Sequence, residues 1–312
     1  MSDVYFFGHV TSGVILRLKG RYPAPDGYGE IAETLENHAG EATGGALVLA
    51  KLGVTVTLEG NWIGDNPQCR RSLEFLRVRG IDCSGLVVKP GYAGVTEIVV
   101  SDGDTRTVFG RYVDLLFTTP QWEMPGADRI RAARVVGVDP SFGEATIATA
   151  RIAKAAGKRL VTSDTRADSP LAALADAVAI SNEFLAREYP AALAFGPARE
   201  KLFAEYLARC PGLVVFTSGS QPLWYARGPG AARQELAPFA IEVIDSAGAG
   251  DAFRAGLIYG LLHDWADAET VRFASAVGSL VCTTAPGCVN PPTLAQVHAF
   301  LAGHSDPHRR AP

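Results

Sequence analysis

Asp251 stands directly behind Gly248, Ala249 and Gly250 in the stretch IDSAGAGDAFRAGLIYGLL, and an apolar run follows it. A helix cap needs only one carboxylate, whose oxygen satisfies one or two free N–H groups of the first turn, so the small residues are surplus to capping. A strand that ends in this sequence and passes into a helix gathers successive N–H groups into one concavity with the helix dipole behind them. Small side chains then let an anion approach closely. An Asp at the rim would repel a phosphate that was merely held there. It is well placed to take a proton from a hydroxyl attacking that phosphate. The competing account is a glycine-rich turn with Asp251 as its N-cap. A Walker phosphate loop is excluded, because no GK[ST] follows the glycines.

The elements that would position this loop are legible as alternating patterns. VYFFGHV, VTVTLEG, ARVVGVDP, KRLVTSD, AVAISN and GLVVFTSG each read as a buried strand closed by Gly, Pro, Ser or Asp. GGALVLAKLG, NPQCRRSLEFLRVRG, EATIATARIAKAAG and AREKLFAEYLARC carry apolar residues at helical spacing. Strand and helix in turn predict an α/β fold with a parallel sheet covered on both faces. Two regions break the rhythm, about 10–35 and 91–119, where polar and apolar residues alternate and SDGD signals a hairpin. We expect them to form a second, small sheet over one domain spanning 1–312, with 303–312 as a polar tail.

Composition excludes several classes of function. The 312 residues are 47% hydrophobic and 20% charged, with a net charge of -4 and no basic run. Nucleic acids and anionic membranes are therefore not expected partners. The first residues, MSDVYFFGHV, lack a cationic segment leading into a long apolar one, and no apolar run has the length of a membrane span, so the expected location is cytoplasmic. Cys69, Cys83, Cys210, Cys282 and Cys288 form no CxxC pair and read as free thiols.

DSAGAGDAF resembles the D-T-x-G-A-G-D signature of the ribokinase-like, PfkB-type carbohydrate kinases. AGEATGGALVLAKLG is similar to that family's N-terminal glycine-rich motif, FTSGSQPLWY to its T-x-G-x-x-G nucleotide segment, and ASAVGSLVCTTAPGCVNPP to its C-terminal adenine and cation segment. The four occur in family order across nearly the whole chain. The resemblance implies a three-layer ribokinase-like fold with a mostly parallel central sheet and a β lid, using ATP and Mg²⁺ with a sugar as acceptor. It implies Asp251 as catalytic base and the N–H groups of Gly248, Ala249 and Gly250 as the cradle for the transferring phosphoryl group. Asn182, Thr217, Ser218, Gly219, Ser220 and Ser275 would line the ATP site, although Asn182 equally ends a strand and Ser275 equally serves helix packing. Asp245 with the carbonyls of Ala247, Cys282, Ala285 and Gly287 would hold a monovalent cation such as K⁺. Lid-to-lid pairing into a homodimer is a further implication.

The departures from the family pattern fall at the sugar end. Gly13 stands where the family usually has an Asp, Gly44 where it has a sugar-binding Asn, and Ala39 where it has the first Gly of a pair. Pro222 replaces a Gly, and Leu185 replaces the acid of NxxE. Ribose is thus expected to be a poor substrate. His9, Ser12, Gly40, Glu41, Thr43 and Asp139 are the candidates for replacement contacts, since side chains at carboxyl ends of strands face the crevice of an open α/β sheet. His9 equally ends its strand, Glu41 equally favours a helix dipole, and Asp139-Pro140 equally starts a turn. DTRTVFGRYVDLL and TSDTRADSPL are similar to the lid and mid-chain region of fructosamine kinases, which would turn Arg106, Arg111 and Tyr112 toward a carboxylate or polar aglycone. Two other readings stay open. One is a nucleoside kinase, with Phe109, Tyr112 and Trp62 as an apolar wall, and the other is a sugar-binding regulator without turnover.

Overall fold

The computed structural model describes residues 2–102, 105–112 and 118–304. The chain enters the main sheet with β1 (Val4–Gly8), leaves it for the hairpin β2 (Thr11–Leu18) and β3 (Ile31–Ala39), and returns through α1 (Glu41–Lys51) to β4 (Val56–Gly60). The short strands β5 (Ile63–Gly64) and β6 (Val88–Lys89) flank α2 (Pro67–Val78), and a second excursion supplies β7 (Thr96–Ser101) and β8 (Arg106–Gly110). After α3 (Ala127–Ala132), β9 (Val135–Val138) leads to α4 (Glu144–Ala155), β10 (Arg159–Ser163) to α5 (Pro170–Leu174), and β11 (Ala177–Ile180) to α6 (Asn182–Glu188) and α7 (Pro197–Arg209). The remaining strands are β12 (Leu213–Phe216), β13 (Leu223–Arg227) and β14 (Gln234–Leu236). The helices α8 (Ala249–Leu262), α9 (Asp267–Val281) and α10 (Leu294–Gly303) complete the described chain.

The main sheet has eight strands in the order β14-β13-β12-β11-β10-β9-β1-β4. It is parallel from β12 to β4, and its two last strands turn antiparallel. All six strands expected from the apolar runs are present. The antiparallel pair β13–β14 was not among them, because Trp224 and Tyr225 sit in a run broken by Pro222 and by two glycines, Gly228 and Gly230.

Strand β1 shows how the layers form. Its residues are almost fully buried and alternate between faces: Val4 and Phe6 join the core made with α1, α8 and α9. Tyr5 and Phe7 join the core made with α4 and Phe142. Helices α8 and α9 lie close because Gly256 leaves room, where a Cβ would stand 2.4 Å from Ala274 Cα. No helix among the described residues is long and apolar enough to cross a membrane.

The second sheet, ordered β3-β2-β7-β8, is the lid. Its two chain excursions meet through a parallel pairing of β2 with β7, and each excursion is otherwise antiparallel. Strand β3 runs to Ala39, past the expected edge at 35, and delivers the chain straight into α1. Residues 103–104 and 113–117 of the lid region, and 305–312 of the expected tail, lie outside the described residues.

Candidate active site

Gly248 adopts the left-handed conformation, φ 77°, and is itself the N-cap of α8. Asp251 is therefore in the first helical turn rather than at the cap, and the capping account of its presence fails on geometry. An L-residue at position 248 would be strained, and its Cβ would stand 2.5 Å from Cys288 Sγ, which itself meets the Gly248 carbonyl at 3.2 Å. Gly250 and Asp251 follow at the helix head, where N–H groups have no carbonyl one turn back.

A cavity of about 530 Å³ opens between this loop and the lid. Its floor holds Asp251, Gly248, Gly40 and Gly44, and its roof holds Asn37, Glu97, Val99 and Arg106. Gly44 makes room for the Asp251 carboxylate, since a Cβ there would stand 3.0 Å from both Cβ and Oδ2 of Asp251. Burial pushes the Asp251 carboxyl up to about 8; Arg254 opposes the rise, while Asp139 and Asp164 add to it. A carboxylate so tuned is a stronger base than an exposed one.

Asp139, Glu41 and Arg254 form a buried charge cluster beneath Asp251. Asp139 and Arg254 are fully buried and meet at 2.6 Å. The other oxygen of Asp139 accepts the N–H groups of His9 at 2.7 Å and Ala42 at 3.1 Å. This corrects the expectation that Asp139 contacts substrate: both its oxygens are engaged inside the protein. Burial, reinforced by Asp139, holds the Glu41 carboxyl well above the usual carboxylate range, and its Oε2 has no hydrogen-bond partner.

The other substrate candidates divide between the cavity and the interior. Gly40 and Arg106 line the cavity. Thr43 instead donates to the His9 carbonyl at 3.0 Å, locking helix α1 to the end of β1. His9 rests edge-on against Phe142, and burial lowers its proton affinity. Ser12 is buried and alternates with the cavity-lining Ile15 and Arg17, so it faces away. By the same alternation Phe109 points opposite to the cavity-lining Val108, and Trp62 is tied to Glu123 at 3.1 Å. An apolar wall built on Phe109 and Trp62 is thus not what the lid presents. The cavity face of the lid carries Ile15, Val99 and Val108 instead.

The nucleotide candidates cluster at the ends of β11 and β12. Asn182 opens α6, Thr217 and Ser218 follow β12, and Gly219 takes φ 60°. Arg199, fully buried, joins them: it donates to Asn182 Oδ1 at 3.2 Å and to Ser218 Oγ at 2.7 Å. Thr217 Oγ1 turns back to the Ile180 carbonyl at 3.4 Å, Ser220 is exposed, and Ser275 is buried on α9.

The cation candidates converge only in part. Asp245 Oδ1 accepts the Ala247 N–H at 2.9 Å, and a Cβ at Gly287 would stand 2.9 Å from the Ala247 carbonyl. Ala285 precedes a cis proline in the same segment. The Cys282 carbonyl, however, already accepts two N–H groups, from Ile244 at 2.8 Å and Asp245 at 3.2 Å. Both its lone pairs are occupied, which removes Cys282 from the expected donor set.

Asn37, Glu97, Arg199, Arg254 and Cys288 were not singled out from the sequence. Arg254 had a signal: it is the one charged residue after Asp251 in a helix otherwise apolar to Leu262. Glu97 had a weaker one, an acid within the apolar lid run TEIVV.

A helix head that gathers N–H groups, a base of raised proton affinity beside it and a β lid across the cavity define a phosphotransferase of the ribokinase-like class. The model of the pfkB family of carbohydrate kinases matches residues 1–294, and the chain belongs to that family. It is 28% identical over 318 residues to an ATP-dependent ribose-1-phosphate kinase of Halopiger xanaduensis, covering 98% of this chain and 100% of that protein. A stretch of 61 residues is 46% identical to an uncharacterized sugar kinase of Dictyostelium discoideum, a match spanning 17% of that protein. In fold it is similar to a fructokinase of Xylella fastidiosa solved with bound ATP, with a TM-score of 0.76 at 21% identity, covering 98% of this chain and 100% of that one.

Proposed function

We propose that this phosphotransferase moves the γ-phosphoryl group of MgATP to a hydroxyl, a primary one, of a sugar or sugar derivative held under the lid. The observation that carries this reading is Asp251, a carboxylate of raised proton affinity at the head of α8, opening onto the lid-covered cavity. Asp251 accepts the proton of the acceptor hydroxyl as its oxygen bonds to the γ-phosphorus. The bond from that phosphorus to the β–γ bridging oxygen breaks, and ADP leaves. The N–H groups of Gly248 and Gly250 face the charge on the transferring group, a preorganised arrangement that needs no rearrangement at the moment of reaction, whereas the Ala249 N–H donates to the Ser246 carbonyl at 3.3 Å and is withdrawn from the expected cradle. Asn182 and Ser218, braced by Arg199, supply polar contacts to the nucleotide, with Thr217, Gly219, Ser220 and Ser275 around it. Mg²⁺ bound with ATP would offset the charge of its phosphates. Ala247, Ala285 and Gly287 keep carbonyls for a monovalent cation, to be read as K⁺ activation over Na⁺. Five free thiols and a demand for ATP support a cytoplasmic location.

The apolar residues Ile15, Val99 and Val108 on the lid's cavity face favour a second reading, a nucleoside acceptor. A panel of pentoses, hexoses, their amino and acid derivatives and nucleosides, scored by ADP release, separates the readings. Turnover of sugars supports the first and turnover of nucleosides alone the second. Saturable sugar binding with no ADP from any acceptor would make the protein a sugar-binding regulator.

A further inference from the structure

We propose that Asn37 and Glu97 form a clamp on a vicinal diol of the acceptor and decide which sugar is phosphorylated; this rests on the kinase reading above. The register of the lid puts three residues in one row across it: Asn37 on β3, Gly13 on β2 and Glu97 on β7. Side chains of alternate strands in a sheet start about 9–10 Å apart, so the outer two meet only by reaching over the middle one. They do meet, Asn37 Nδ2 donating to Glu97 Oε1 at 2.6 Å. Gly13 permits this: a Cβ there would stand 2.7 Å from Glu97 Cγ. The bare position in β2 is thus the seat of a polar bridge.

The bridge faces the reaction. Asn37, Glu97 and Asp251 line the same cavity, and the Tyr112 hydroxyl donates to the second Glu97 oxygen, fixing the carboxylate from its far side. Each Glu97 oxygen retains a lone pair, and the Asn37 amide oxygen adds a further acceptor. The bridge therefore offers acceptors and no spare charged donor, which is the complement of two adjacent hydroxyls. It repels phosphate or carboxylate at that point of the acceptor. Arg106, on the same face, lies four residues along β8 from Gly110, the residue opposite Glu97. At about 3.3 Å per residue it stands about 13 Å farther along the lid. A charged substituent is accommodated only at that end, so a compact sugar cannot engage both places at once.

The test compares the best acceptor with analogues lacking one hydroxyl of its diol, in wild-type enzyme, Glu97→Gln, Asn37→Ala and Gly13→Ala. A site built to bond a hydroxyl rejects the analogue strongly. The wild type is expected to prefer the parent sugar by about 100-fold or more in kcat/KM. Glu97→Gln should raise the parent's KM about tenfold, leave the KM for ATP and the melting temperature near wild type, and erase most of the preference. Gly13→Ala should do the same by displacing Glu97 without altering its chemistry. If parent and analogue decline together, the pair is only a brace within the lid and the proposal is overturned. It is likewise overturned if KM is unchanged in all three variants while turnover persists. Failure of the wild type to turn over any acceptor would instead sink the kinase reading itself.

Discussion

Asp251 is held by the fold at a cost in stability, and the cost depends on pH. Its carboxyl ionises near 3.8 in the unfolded chain and at about 8 in the folded one. Between those values the folded state binds the extra proton, so stability falls as pH rises through the window and the loss is complete above about 8. Asp251→Asn removes the ionisation with almost no steric change. Its melting temperature should exceed that of the wild type by an increment that grows from pH 5 to pH 8.5, while kcat drops by about 10²–10⁴. An increment independent of pH would show that Asp251 is not the titrating group. For the wild type, kcat/KM should climb about tenfold per pH unit toward pH 8, because the base must be ionised to act. At this scale the sequence singled out Asp251 and its glycines as candidates, since both announce themselves by type and spacing. It did not disclose that Asp139 belongs to Arg254, or that Glu97 lies over Gly13. Those are relations between residues 115 and 84 positions apart, 254 less 139 and 97 less 13, set by strand register and helix facing rather than by local pattern.

The elements hold the loop through few but specific contacts. At Gly248 a side chain would meet both a left-handed backbone and Cys288 Sγ. Gly248→Ala should lose about 1–2 kcal/mol from the conformation alone, a fall of several degrees in melting temperature, together with at least about tenfold in kcat as the N–H groups are displaced. Adding Cys288→Ala should recover the steric share and leave the conformational share. Complete recovery in the double variant would show that φ at 248 is not limiting. The strands β1, β4 and β9 to β12 were legible because each is a short apolar run buried on both faces. The lid strands were legible as alternation, but the end of β3 was not, because Gly40 alone, φ 106°, separates it from α1 and no turn marks the boundary.

At the scale of the whole molecule, the described residues of the lid present a partly exposed apolar face on the side away from the cavity. Opposite the cavity, Val14, Ile98 and Phe109 stand in one register row of the lid and Leu16 and Val100 in the next; Ile98 is 45% exposed and Phe109 52%. An apolar sheet face of this kind is covered by association, which is the basis for proposing a homodimer through the lids. Ile98→Ser with Phe109→Ser should convert a dimer to a monomer in sedimentation at micromolar concentration and raise the KM for the acceptor more than that for ATP. A wild type that stays monomeric at high micromolar concentration would refute the pairing. The lid's parallel join of β2 to β7 has a consequence for how the protein is made. Leu18 ends β2, and Ser101 ends the strand that pairs with it, so 83 residues separate them, 101 less 18. At synthesis rates of 5–20 residues per second the nascent hairpin waits on the order of 4–17 s with one edge unpaired. An open edge invites pairing with another chain, and charge near it is the usual safeguard. Arg17 near the end of β2 and Lys19 just beyond it are placed to guard that edge on the ribosome long before the cavity that Arg17 borders exists.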